Sequence, residues 1–388
     1  METVDKYFLN KVDQISFIEL KEGAWVDVGD YTIEDDIPLP IVTDTLLKEA
    51  RDGEVEEGFK ASHLIEGIIY ILGIDPEFKY NEQYKRILYS YDSKIEDYIM
   101  YTGFQHIQKG DYEQGAIYFR ALTHINEKNV QGLFNYALCL ENLSRNLIDQ
   151  GKIQKADRFL LESTNQLEDL IGISEEFAPA YYKLGYYYRY FDQYLKTKLI
   201  WEKYLAMGDN EIYLQEVREQ LESITDDINF EIGSDALNRG DYRLALENFL
   251  PLSDNRGASW NVYYLIGLAY RGLGDYENAI ESISKAIDLG ARDANIYNEL
   301  GICLFTVGDA DRAIDIFNKG IELEEGNYRI IFNRGMVYMR LGLLEEAADD
   351  IKRAYMLNPD DEAVKDQMQQ LKMTNKDIRR NSGKEYEI

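Results

Sequence analysis

The sequence predicts an all-α protein: an α-solenoid of about eight stacked helical hairpins, preceded by a short arm of irregular or β structure. Three observations predict it. Gly267, Gly301 and Gly335 occupy the same point in three consecutive segments, and 301 − 267 = 335 − 301 = 34. Each segment repeats one apolar pattern around that glycine. It reads Tyr263-x-x-Ile266-Gly267-x-x-Tyr270 then Ala279-x-x-x-Ile283, and next Tyr297-x-x-Leu300-Gly301-x-x-Leu304 then Ala313-x-x-x-Phe317. The third copy is Ile331-x-x-Arg334-Gly335-x-x-Tyr338 then Ala347-x-x-x-Ile351. Finally, the segments abut with no residue of slack and close on Pro359. A fixed period of this size marks a repeat architecture and is not required by an ordinary helical bundle.

Within each segment, large residues at positions 4, 7 and 11 fall on one face of a first helix, at the i, i+3, i+7 spacing of an amphipathic helix. The small residue at position 8 lies among them. With no side chain there, a second helix can approach closely; a bulky residue would overpack, at roughly 1–3 kcal/mol. Gly274, Gly308 and Gly342 end the first helices, where a left-handed residue is cheap only for glycine. Ala279, Ala313 and Ala347 are the matching small residues of the second helices. One hairpin cannot bury its apolar face alone, so neighbours must stack.

These residues and spacings resemble the tetratricopeptide repeat. The resemblance implies a right-handed superhelix whose first helices line a concave groove for extended or helical peptides. It also implies that positions 2, 5, 9 and 12 of each repeat face the ligand. Here those positions include Phe104, Phe134, Tyr182, Tyr186, Arg189, Phe230, Tyr264, Arg271, Phe332 and Met336. Tyrosine and arginine dominate binding hot spots, combining buried area with a polar handle. The alternative for any one of these rings is packing between repeats. One subgroup of the family clamps a carboxylate with Lys at position 5 and Asn at position 9. This chain has neither, so the groove reads as apolar and aromatic with isolated arginines.

The chain has 388 residues, with 71 Asp and Glu against 42 Lys and Arg, for a formal charge of −29. Acidity of this size disfavours nucleic acid, whose phosphates need clustered cations. It suits solubility, and partners that are basic or apolar. Cys139 and Cys303 form no metal or redox spacing and read as buried thiols. The start lacks the apolar core of a signal peptide. The longest apolar run, Ile68 to Ile74, is too short to span a bilayer. The expected location is the cytoplasm, with no membrane insertion.

Residues 1–42 fall outside the repeat. Ile15 to Leu20 and Ala24 to Val28 read as short strands around a Lys21-Glu22-Gly23 turn, and Pro38 and Pro40 favour an extended path after them. The arm is either poorly ordered or docked on the scaffold, where it could recruit a partner by strand pairing. Thr43 or Asp44 caps a short helix to about Ala50. Helices are expected from about Glu54 to Leu72 and over 79–92. Gly67 lies 36 residues before Gly103 (103 − 67 = 36), which makes this pair a divergent first repeat. Residues 95–128 form a closer copy, and the next small residue is Ala137, with 137 − 103 = 34. The interval from Ala137 to Gly185 is 48, or 34 + 14. Gly151, the turn glycine, falls seven residues late, which predicts two helices each longer by two turns. From Gly185 to Gly233 the interval is again 48, and here Glu211 to Ile224 reads as an additional helix. The regular copies then run to Pro359, and a polar helix over 361–373 caps the last apolar face. The expected domains are an arm (1–42), an array with lengthened helices (43–224), a regular array with its cap (225–373) and a disordered tail (374–388).

Catalysis finds little support. His63, His106 and His124 are the only histidines and make no metal-ligand pattern. No phosphate-binding loop, nucleophile elbow or dinucleotide fingerprint appears. Acidic pairs such as Asp349-Asp350 read as solvated helix ends. No cofactor and no metal are expected. The expected function is a non-enzymatic scaffold that holds a protein or peptide in the groove. The alternative is a regulator that senses a peptide ligand through the same array.

Overall fold

A computed structural model describes residues 3–43, 61–253 and 259–382. The short helix expected to run to Ala50, and the first turns of the one expected from Glu54, lie outside them. The chain divides into two compact units, Met1–Leu221 and Glu222–Ile388. Among the described residues no helix is long and apolar enough to cross a membrane.

The first unit begins with α1 (Val4–Leu9) and four strands, β1 (Ile15–Ile18), β2 (Val26–Val28), β3 (Tyr31–Ile33) and β4 (Leu39–Val42). Helices α2 (Ala61–Ile74) and α3 (Asn81–Tyr91) follow. Three hairpins come next: α4 (Ile95–Gln108) with α5 (Tyr112–Ile125), α6 (Val130–Asp149) with α7 (Ile153–Ile173), and α8 (Ala178–Tyr190) with α9 (Tyr194–Met207). A single helix, α10 (Glu211–Ser223), ends the series. The second unit holds four hairpins: α11 (Thr225–Asn238) with α12 (Tyr242–Ser253), α13 (Trp260–Gly272) with α14 (Tyr276–Asp288), α15 (Ala294–Thr306) with α16 (Ala310–Leu323), and α17 (Tyr328–Leu341) with α18 (Leu344–Leu357). The last helix, α19 (Glu362–Ser382), buries Val364 on the final apolar face.

One contact recurs through both stacks. In six of the hairpins the glycine of the first helix meets the residue sixteen positions later on the second; α6, whose small residue is Ala137, is the exception. Gly103 faces Phe119, Gly185 faces Trp201, Gly233 faces Phe249, Gly267 faces Ile283, Gly301 faces Phe317, and Gly335 faces Ile351 with its neighbour Asp350. A Cβ on Gly301 would lie 2.5 Å from the Phe317 ring, so nothing larger than glycine fits unless the ring moves. Phe119, Phe249 and Phe317 are buried as a result. Burying such a side chain contributes roughly 1.5–3 kcal/mol each.

Capping and turn chemistry set the helix ends. Asn129 accepts from the backbone N–H of Gly132 at 2.8 Å, and Asp111 from that of Gln114 at 3.1 Å. After the first helices the chain turns through a left-handed residue, as at Gly342 (φ +78). In the α8–α9 turn that place is taken by Asp192 (φ 54), the one non-glycine residue with positive φ among the described residues. Helices α6 and α7 run 20 and 21 residues, against 13 and 14 for α8 and α9. The seven extra residues in each are close to two turns.

The structure decides one open reading of the sequence and corrects four. The arm is folded, not loose: Phe8, Ile33 and Ile41 are buried against the first unit, and Tyr7 stacks edge-on against Phe159 of α7 at 5.0 Å. Its strands pair differently from the expected hairpin. β1 runs antiparallel to β4, with Ile15 opposite Val42, and β2 pairs with β3. Gly67 does not serve an α2–α3 hairpin. A Cβ there would lie 2.0 Å from the carbonyl oxygen of Pro40, so this glycine admits β4. The end of the chain was expected to lose structure at 374, yet α19 continues to Ser382, because no glycine or proline interrupts 361–382. Finally, Asp350 is no solvated helix end: it is 6 % exposed and carries an ion pair with Arg334.

Candidate functional site

Helix α8 uses three faces for three purposes. Tyr181, Leu184, Gly185 and Tyr188 are buried. Lys183 and Tyr187, four residues apart, turn toward α6. Tyr182, Tyr186 and Arg189 lie at i, i+4 and i+7, one stripe of the helix, and turn toward α10.

On α10, Tyr213, Glu216 and Gln220 share a stripe at i, i+3 and i+7. The two stripes meet. The Tyr182 ring lies 5.2 Å from that of Tyr213, and its hydroxyl donates to Glu216 at 3.1 Å. The Tyr186 hydroxyl also donates to Glu216, and Arg189 donates to the side-chain oxygen of Gln220. Burial, and then the carboxylate of Glu216, raise the pKa of Tyr186 well above the ordinary phenol range. Tyr182 shifts in the same direction, from burial first. Both phenols therefore stay protonated and act as donors.

Toward α6 the acceptor is Glu141, a nearly buried carboxylate. Lys183 Nζ donates to it at 2.8 Å and the Tyr187 hydroxyl at 2.9 Å, and Arg145 completes the set. Arg145 belongs to the last two turns of α6, so the lengthening of that helix supplies one of the three donors.

Two clefts open beside these contacts. One, of ≈ 440 Å³, lies among Glu141, Arg145, Ile148, Leu160, Tyr186 and Tyr190. The other, of ≈ 520 Å³, lies among Phe134, Pro179, Tyr204, Asn210 and Tyr213. Tyr182 and Lys183 line both. Three of the expected site residues line these clefts, Phe134, Tyr182 and Tyr186, and a fourth, Arg189, lies on the same stripe of α8 against Gln220. Phe134 is half-buried against Phe177, with ring centroids 5.1 Å apart. Phe104 stands apart on α4, 39 % exposed, with its edge on Phe119.

The second unit holds the other five. Phe230 on α11 packs at 6.0 Å from Phe249. Tyr264 and Arg271 share a face of α13, and Arg271 pairs with Glu299 of α15 at 2.5 Å. Burial raises the Glu299 carboxyl above its usual range, against the pull of Arg271. The Tyr264 phenol is pushed up to about 12, by burial first and then by Glu299. Phe332 and Met336 lie on α17. Met336 lines a cleft of ≈ 790 Å³ with Phe305, Met339 and Arg340.

Sequence reasoning did not single out Glu141, Lys183, Tyr187, Glu216, Gln220 or Met339. Met339 was within reach, because it occupies position 12 of the last repeat. Glu216 and Gln220 lie in the insertion, where no repeat register assigns a face.

The tetratricopeptide repeat family matches residues 230–294 and 264–328, and a second profile of the same description matches 328–361. The chain carries tetratricopeptide repeats. No curated protein sequence matches it. Solved structures similar to it include YrrB, a TPR protein with an unusual peptide-binding site: 17% identity, 63% of this chain and 94% of that one, TM-score 0.26. The TPR domain of Arabidopsis OM64 is 21% identical over 29% of this chain and 93% of its own, with a TM-score of 0.28. The second TPR domain of human RPAP3, in complex with the HSP70 peptide SGPTIEEVD, is 19% identical over 29% and 98%, also at 0.28. The matched tetratricopeptide repeats all lie in 230–361, whereas the α8–α10 clefts lie in hairpins that only their own geometry identifies.

Proposed function

We propose that the protein is a protein- or peptide-binding scaffold, and that the two clefts beside Tyr182 receive a partner segment. One observation carries this reading. Tyr182 and Lys183 sit between two adjoining clefts walled by aromatic rings, with donors and acceptors at fixed places: Arg145, Lys183, Glu141 and Glu216. Aromatic walls supply contact area at low entropy cost, and the charged groups fix orientation. The test is affinity capture with wild-type protein and with Tyr182→Ala/Tyr186→Ala. A partner held by the wild type should be lost from the variant while the variant keeps its fold by circular dichroism. Retention of every partner sinks the proposal.

The α10 contacts favour a second reading, a regulator that senses a peptide. Tyr182, Tyr186 and Arg189 are all engaged by α10, so a ligand that takes them must displace Glu216 and Gln220. Hydrogen exchange over 211–223 should then rise on binding; unchanged protection leaves only the scaffold reading. We place the protein in the cytoplasm, where two free, buried cysteines such as Cys139 and Cys303 stay reduced. Cell fractionation tests this.

A further inference from the structure

We propose that the cavity between α1, α5, α6 and α7 binds a linear aliphatic polyamine. The cavity measures ≈ 430 Å³, within the range of small-molecule sites, and shares no residue with the α8 clefts. Leu133, Tyr136, Arg120 and Thr123 are its buried lining residues, and Asp5, Glu127, Glu162 and Asp169 add four carboxylates.

Two independent features point to a ligand. The first is Tyr136. It is 2 % exposed, and among the described residues no hydrogen bond reaches its hydroxyl. That oxygen is not sealed off by protein, and Tyr136 lines the cavity. With no protein partner, that phenol must take its hydrogen bonds from what occupies the cavity. The second is the charge balance. Among the described residues Arg120 is the one cation of the lining, and it pairs with Asp5. Glu162 accepts, among the described residues, only from the side-chain amides of Gln166 at 2.9 Å and Asn165 at 3.4 Å. Glu127 and Asp169 have no cation partner among the described residues. His124 adds no charge at neutral pH, because burial and the nearby Arg120 push it down to about 4. The lining thus carries four negative charges and one positive, a formal −3 (1 − 4 = −3).

A polyamine answers both features. Its ammonium groups donate to Glu127, Glu162 and Asp169, and one donates to the Tyr136 oxygen. Its methylenes lie along Leu133 and Ile173, as a lysine stem lies on an apolar surface.

Calorimetric titration of the full chain with spermidine at low salt tests this. One saturable site is expected. Tyr136→Phe, which keeps the packing, should weaken it about fivefold, and Glu162→Gln/Asp169→Asn at least about tenfold. Glu345→Gln/Glu346→Gln on α18 removes the same charge elsewhere and should change nothing. The proposal falls if the heats do not saturate, if the cavity variants bind like the wild type, or if the α18 variant weakens binding equally. It also falls if N-acetyl-lysine amide binds as tightly as spermidine, since one ammonium would then suffice.

Discussion

Gly185 lies so close to Trp201 that a Cβ on it would fall 1.9 Å from the indole nitrogen. That nitrogen donates to the Tyr182 carbonyl at 3.1 Å, and Trp201 is fully buried. Gly185→Ala must therefore push the indole off its acceptor. We expect a loss of about 2–4 kcal/mol, overpacking plus the broken hydrogen bond, read by urea unfolding. Gly172→Ala is the control: it lies in α7 with nothing within 4 Å of its Cβ position, and should gain about 0.5–1 kcal/mol.

Asp192 holds the left-handed place that glycine takes in the other turns. Asp192→Gly should stabilise the protein by about 0.5–1 kcal/mol, the cost of that conformation less the added chain entropy. The Tyr194 hydroxyl donates to Asp192 at 2.8 Å, but in solvent. A fall in melting temperature would show that this hydrogen bond outweighs the backbone strain.

Arg334 stands at position 7, where the two preceding copies have Ile266 and Leu300. Its Nε and Nη2 reach the two oxygens of Asp350 at 2.7 and 2.6 Å, and Nη1 reaches Asn318 at 2.6 Å. Asp350→Ala strands the guanidinium and should cost about 3 kcal/mol. Arg334→Leu/Asp350→Ala should recover most of that. A double-mutant cycle in denaturant measures the coupling.

His124 predicts a pH dependence. Its folded pKa is near 4, against an ordinary 6.5, from burial first and then Arg120 and Lys85; Asp5 opposes them. Below 6.5 the unfolded chain therefore binds a proton that the folded chain refuses. Stability is unaffected above that pH and falls as pH drops through the window toward 4, by up to about 3 kcal/mol. The difference in unfolding free energy between wild type and His124→Gln should narrow over that window and stay flat above pH 7.

The regular helices were legible because their signal is periodic. Six close contacts at an offset of sixteen follow from small residues that can be counted along the chain. The arm was not legible, since the partner of β1 is β4, more than twenty residues on, and β4 depends on Gly67 of α2 to make room. Nor was Glu141. A carboxylate on a helix looks like surface until Lys183, Tyr187 and Arg145 are brought around it. The shared stripe of Tyr182, Tyr186 and Arg189 is written in their spacing. What faces that stripe is not, because α10 lies in an insertion without register.

Because each ring finds its glycine within its own hairpin, a block of 34 residues is self-sufficient at its tightest point. Excising 294–327 would remove Gly301 together with Phe317 and orphan neither, whereas a cut of another length would part a helix from its seat. Such a chain can gain or shed whole modules over evolutionary time, while single insertions inside a module are barred unless, as in α6 and α7, both helices lengthen together.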